Sequence, residues 1–439
     1  MNDGINKKYE CDNQERQKTL FSRDIASSAE AILTELEGDS QLPQSMHYFI
    51  NLMRDIFVHN RVAYGNPPRK KSQENKKIIG TYCIMSPEEL IYAAGAIPIR
   101  LCAGSYEASC AGEDLVPRDA CPVVKASAGF TSLNIPFIYQ MCDVVIVPTT
   151  CDGKRKLGEV LRDFKEVWML EVPHIKETES SRLQWLSHLY ALKKNIEKFT
   201  GKKISRKTLR GSIQTICHAQ YQAHKLYETK KLSLPVISGR ASMLASNAYS
   251  YDTVDKWVEA MGKLNNELKK RQDKGEFITR NHVPRILLAG SPSIFPNWKI
   301  LSLVEKMGAV VVADETCMGD RYLYDPVGIV EDSMIDMMRG IASRCIMPCT
   351  CPSFSPNDDR AYKLLRMIEE FRIDGILYCV LKGCIIYDFE LISIDNSMKE
   401  KGIPVLRIET DYSPEDVEQL RTRIEAFIEM IQTKKREKR

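Results

Sequence analysis

Fourteen cysteines lie among 439 residues, and eleven of them fall into two groups. Cys345, Cys349, Cys351, Cys379 and Cys384 stand within forty residues, and Cys83, Cys102, Cys110, Cys121, Cys142 and Cys151 stand far upstream. Thiolates presented on loops are what iron–sulfur clusters need, three or four to a cubane. Cys83, Cys121, Cys151, Cys317, Cys351 and Cys384 each follow an apparent strand or precede a helix, beside Pro or Gly. Such loops at strand ends are where an open α/β sheet builds its sites. Six thiols could hold two cubanes of three thiolates each, with the remaining irons open or bridged. Cys349 competes with Cys351 for one place, and spacing alone does not separate them. The other reading of a cysteine is a small buried hydrophobe. It is applied to Cys142, Cys217 and Cys379, and also to Cys102, Cys110 and Cys345, while Cys11 sits in a polar leader.

Other chemistries find less support. A zinc ribbon needs paired C-x2-C knuckles, whereas Cys345, Cys349 and Cys351 leave gaps of three and one, and all seven histidines lie at or before His282. No P-loop, no G-x-G-x-x-G after an opening strand and no G-x-S-x-G elbow occurs, so ATPase, dinucleotide and serine-hydrolase readings lack a motif. Glu315, Asp320 and Arg321 beside Cys317 form either a polar site cluster or a helix cap with a salt bridge. Lys125, Lys154 and Lys382 lie near candidate ligands as proton donors or as ordinary surface lysines.

The elements that must position these residues alternate. Ile78–Gly80, Ile97–Leu101, Val144–Pro148 and Trp168–Pro173 read as strands, with a helix at Glu89–Ala94 and another starting near Lys156. The pattern restarts at Arg285: strands at Ile286–Ala289, Ala309–Ala313, Gly375–Val380 and Pro404–Ile408, helices at Trp298–Met307 and Arg360–Phe371. Strand–helix alternation argues for parallel sheets. Cys121-Pro122 pairs with Cys351-Pro352, and Cys151 with Cys384, as in a weak internal duplication. Between the two α/β units, Ser181–Phe199, Arg206–Tyr227 and Thr253–Arg271 are amphipathic helices, and Ile25–Leu36 and Met46–Ala63 precede them. The expected fold is α/β: two Rossmann-like doubly wound domains, an N-terminal helical segment and a helical insertion. The expected boundaries are 1–75, 76–175, 176–284, 285–410 and a C-terminal helix in 411–439.

Hydrophobic content of 44%, charged content of 27% and a net charge of +4 are those of an ordinary globular protein and do not suggest nucleic acid. No apolar run reaches the roughly 20 residues of a membrane span, and the polar N-terminus lacks a signal-peptide core. A cytoplasmic location is expected, where thiols are more often redox groups or metal ligands than disulfides.

The run GTYCIMSPEELIYAAGAIPIRLCAG (Gly80 to Gly104), the block ETCMGDR and the later DGILYCVLKGC occur here in that order. They resemble motifs of the large subunits of 2-hydroxyacyl-CoA dehydratases and benzoyl-CoA reductases, over roughly residues 76 to 410. The resemblance implies a [4Fe-4S] cluster on Cys83, Cys121 and Cys384. The surplus at Cys151, Cys317, Cys349 and Cys351 resembles the double-cubane branch, which implies an [8Fe-9S] cluster, a homodimer, and a separate ATP-dependent iron–sulfur reductase (the activator protein) that charges it. The implied function is reduction of a small-molecule substrate. The alternatives are one subunit of a 2-hydroxyacyl-CoA dehydratase, or a non-catalytic electron carrier.

Overall fold

The computed structural model describes residues 2–61, 76–279, 283–319 and 321–437. It contains two four-stranded, wholly parallel sheets. The first is made of β1 (Ile78–Thr81), β2 (Ile97–Arg100), β3 (Val144–Pro148) and β4 (Glu166–Leu170), in the order β2-β1-β3-β4. The second is made of β5 (Arg285–Gly290), β6 (Val310–Asp314), β7 (Gly375–Leu381) and β8 (Val405–Thr410), in the order β6-β5-β7-β8. The same permutation is used twice, so the two Rossmann-like halves repeat one topology. Every residue of β1, β3, β5, β6 and β7 is buried. Helices cover both faces of a parallel sheet, so its inner strands read as continuous Val/Ile/Leu runs rather than alternating ones.

In each half the chain leaves the first strand for the second, then returns to pair the third strand on the first strand's other side. Ligand crevices form at that switch point, outside the carboxyl ends of the strands. Here the switch points lie between β1 and β3 and between β5 and β7.

Helices Glu179–Thr200, Arg206–Lys230, Gly239–Ala248 and Val254–Lys274 connect β4 to β5. Thr178, Ser205 and Ser238 cap three of them by accepting a backbone N–H, and Gly201 and Gly275 close two in the left-handed conformation, as capping chemistry requires. The N-terminal helices are Asn2–Glu37 and Met46–Phe57. The second ends earlier than the expected Ala63, which falls outside the described residues. Phe57 anchors it by edge contacts to Tyr251 at 5.3 Å and Phe295 at 5.1 Å. β4 starts and ends before the expected Trp168–Pro173, because its backbone pairs with β3 only as far as Leu170. Among the described residues no helix is long and apolar enough to cross a membrane.

Candidate metal centre

A cavity of about 560 Å³ lies between the carboxyl ends of the two sheets. Seven thiols line it: Cys83, Cys102, Cys121 and Cys151 from the first half, and Cys317, Cys351 and Cys384 from the second. Cys83 follows β1 and Cys151 follows β3, so both stand at the first switch point. Cys384 follows β7 at the second, and Ser291, also on the cavity wall, follows β5. Cys102 and Cys317 follow β2 and β6, the second strand of each half. Three of the thiols stand at the N-cap of a helix: Cys121 before Pro122–Leu133, Cys151 before Asp152–Leu161 and Cys384 before Ile385–Glu400.

Those helix starts supply N–H donors, which favour a sulfur's charged form. Cys151 Sγ accepts from Lys154 N at 3.4 Å, and backbone N–H groups of Met85, Val123, Ser353 and Tyr387 serve Cys83, Cys121, Cys351 and Cys384. Arg100, Lys154 and Arg321 line the same wall. Burial opposes ionisation of Cys83, but the Lys154 cation and the Met85 N–H outweigh it and hold the thiol below its usual value. The Cys384 thiol hydrogen-bonds Cys121, which lowers Cys121 and raises Cys384. Burial pushes Cys102, Cys151 and Cys351 up. Away from the cavity, burial takes Cys142, Cys345, Cys349 and Cys379 up to about 12.

Among the described residues no three His, Cys, Asp or Glu side chains come together closely enough to hold one metal ion. The thiols instead ring a cavity, a spacing that suits a polynuclear group. A soft set of seven thiols facing Arg100, Lys154 and Arg321 suits an iron–sulfur core, whose net charge is negative. Among the described residues the buried Nε atoms of Arg100 and Arg321, like those of Arg344 and Arg360 off the cavity wall, have no hydrogen-bond partner.

The wall is a seam between the halves. Arg100 Nη1 donates to the Cys317 carbonyl oxygen at 2.6 Å, and Gly104 N donates to Phe295 O at 3.0 Å. Gly383, at φ +74°, lies so close to the opposite half that a Cβ would be driven into the Asp119 carbonyl oxygen. Beneath the second half's thiols, Glu315 pairs with Arg321 and with Arg360 (2.8 Å) and accepts from Thr350 Oγ1 at 2.9 Å. Arg360 also pairs with Glu390. This fixes Arg321, Tyr387 and the segment leading to Cys351.

Of the residues singled out from sequence, Cys83, Cys121, Cys151, Cys317, Cys351 and Cys384 all meet at this cavity. Cys349 does not line it and is buried against the hydrophobic core that includes Cys345 and Phe354. Asp320 lies outside the described residues, and its expected partners Glu315 and Arg321 form a buried ion pair. Of the three lysines only Lys154 faces the cavity; Lys125 pairs with Glu113 at 2.9 Å and Lys382 with Asp411 at 2.8 Å. Cys102, read from sequence as apolar filler, is the one lining thiol that was missed. Its place after the second strand, matching Cys317 in the repeat, was the available signal.

A family profile described as 2-hydroxyglutaryl-CoA dehydratase, D-component, matches residues 83–431. YjiM of Escherichia coli (strain K12), a putative dehydratase subunit, is 32% identical over 361 residues, 81% of this chain and 91% of that one. The (R)-phenyllactyl-CoA dehydratase beta subunit of Clostridium sporogenes is 24% identical over 392 residues, covering 87% and 98%. A benzoyl-CoA reductase subunit of Thauera aromatica is 20% identical over 379 residues, covering 82% and 92%. The matched span takes in every thiol of the cavity and both sheets, apart from the opening strand, and the chain therefore belongs to the 2-hydroxyglutaryl-CoA dehydratase D-component family of enzymes.

Proposed function

We propose that this chain is an iron–sulfur reductase whose double-cubane cluster is held by Cys83, Cys121, Cys151, Cys317, Cys351 and Cys384. The observation that carries this reading is that these six thiols, three from each half, stand with Cys102 on the wall of one cavity. A single cubane on Cys83, Cys121 and Cys384 leaves Cys151, Cys317 and Cys351 without a role on the same wall. When bound, such a cluster supplies strongly reducing electrons to a small molecule at an iron without a thiolate.

The chain's own residues do the rest. Thiolates on helix N-caps hold the metal group, and backbone N–H groups orient the sulfurs and ease their ionisation. Apolar wall residues such as Val123, Val124, Leu157 and Ile294 keep water away from the sulfurs. Lys154 brings a proton-bearing group to the same wall. The named relatives are subunits, and we extend that to this chain: an ATP-hydrolysing iron–sulfur reductase as electron donor and a second copy as dimer partner, in the cytoplasm.

A second reading, favoured by the dehydratase names of the relatives, is a single-cubane dehydratase subunit. Two variants purified without oxygen separate them. Cys384→Ser lowers iron per chain under both readings. Cys317→Ser lowers it under the double-cubane reading alone; unchanged iron in Cys317→Ser returns the chain to the dehydratase reading.

A further inference from the structure

Four cations line the cavity, but their charges are not balanced alike: Lys156 is exposed and pairs with Glu159 at 3.1 Å. Arg321, together with Arg360 behind it, is matched by Glu315 and Glu390, two positive charges against two negative. Among the described residues Arg100 and Lys154 have no carboxylate partner. Arg100 is 2% exposed, donates through Nη1 to the Cys317 carbonyl, lies 4.6 Å from the Tyr322 ring centre, and has no partner at Nε. Tyr322 in turn donates to Glu88, so a phenol separates that carboxylate from the guanidinium. Lys154 Nζ donates to the Tyr82 carbonyl at 3.0 Å. A carbonyl satisfies a hydrogen bond but leaves the positive charge uncompensated, and an uncompensated buried charge is strongly destabilising. Arg100 is such a charge, and the half-buried Lys154 adds a second on the same wall, so the pair calls for negative charge inside the cavity.

Resting on the cluster reading above, we propose that Arg100 and Lys154 set the reduction potential of the centre. Reduction adds one negative charge to a group in a low-dielectric cavity. A fixed cation beside it stabilises the reduced form more than the oxidised one, because interaction energy grows with the product of the charges. Removing either cation makes the centre harder to reduce. Arg100 also reaches from β2 to the peptide of Cys317, so it places a first-half charge beside a second-half ligand. Both are positioning residues that act through the metal group rather than on substrate.

The test uses the full chain purified without oxygen, with iron and sulfide counted and the midpoint potential read by an EPR-monitored redox titration. Arg100→Gln and Lys154→Met remove charge; Arg100→Lys and Lys154→Arg keep it. The expected result is full iron in Lys154→Met with its midpoint moved negative by a tenfold change in the oxidised-to-reduced ratio at fixed poise, about 59 mV for one electron. Lys154→Arg stays at the wild-type value, and Arg100→Gln moves in the same direction as Lys154→Met. Full iron with an unmoved midpoint in both charge-removing variants overturns the inference. So does loss of iron in all four variants, which marks the side chains as structural pins. Wild-type chain without iron removes the cluster reading itself, and this inference with it.

Discussion

Glu315→Gln is the perturbation that best tests how the second half of the site is held. Glu315 is fully buried just after β6, and its two oxygens serve Arg321, Arg360 and Thr350. Neutralising it leaves two buried guanidiniums and one carboxylate, Glu390, which pairs with Arg360. Removing one partner of a buried pair costs about 3–5 kcal/mol. Arg360 keeps Glu390, and Arg321 keeps the residue-315 carbonyl at 2.9 Å and the Tyr387 hydroxyl at 3.3 Å. The lower end of that range, about 3 kcal/mol, is therefore expected. The assay is urea denaturation of metal-free protein at pH 7, wild type against variant. Burial opposes ionisation of Glu315, but Arg321 and Arg360 outweigh it and hold its pKa below the ordinary 4.5. A carboxylate whose folded pKa is depressed contributes in full above its unfolded value and loses that contribution as pH falls through the folded one. The gap between wild type and variant therefore stays constant from pH 7 down to about 5 and narrows below about 4.5. Equal midpoints at pH 7, or a gap that widens as pH falls, refute this reasoning. Arg321 and Tyr387 line the cavity and Thr350 precedes Cys351, so Glu315→Gln also lowers iron retention.

Two further outcomes follow from the cavity wall. Cys351→Ala reduces iron per chain, whereas Cys349→Ala keeps it and costs only stability, on the order of 1 kcal/mol for a buried thiol lost from the core; metal analysis and thermal melts separate the two. Gly383→Ala places a Cβ against the Asp119 carbonyl at a positive φ, costing about 1–3 kcal/mol of strain, and lowers both the melting temperature and the iron content because Cys384 and Cys121 sit on the two sides of that contact.

Much of the scaffold was legible because parallel strands buried on both faces leave unbroken apolar runs. β3 falls on Val144–Pro148, as the sequence suggests, β5 and β6 differ from their expected bounds by one residue at each end, and β7 by one residue at its carboxyl end. The helix Pro122–Leu133 left no such trace. Eight of its twelve residues are buried, so it has no polar face to mark a 3.6-residue period. Its small residues serve close packing instead: a Cβ at Gly129 would run into the Ala108 carbonyl of the neighbouring helix. Ile385–Glu400 was hidden for the opposite reason, since Ile385, Phe389 and Ile392 are exposed and blur its pattern.

The thiol set shows the same division. Six candidates stood out by their place beside Pro, Gly and helix starts, and all reach one cavity. Cys102 did not, because a thiol directly after an apolar strand looks like the strand's own filler. Nearness in sequence could not rank the lysines either. Lys125 lies on the helix that Cys121 caps, yet turns to Glu113, while Lys154, one turn beyond Cys151, enters the cavity. Only the relative rotation of those helices decides between them.

Whether both halves together hold one large iron–sulfur group is read from iron and acid-labile sulfide per wild-type chain, on protein purified without oxygen. About eight irons are predicted, two cubanes of three thiolates each. About four irons, the content of a single cubane, would contradict the double cubane and favour a dehydratase subunit, and zinc with no iron would contradict both.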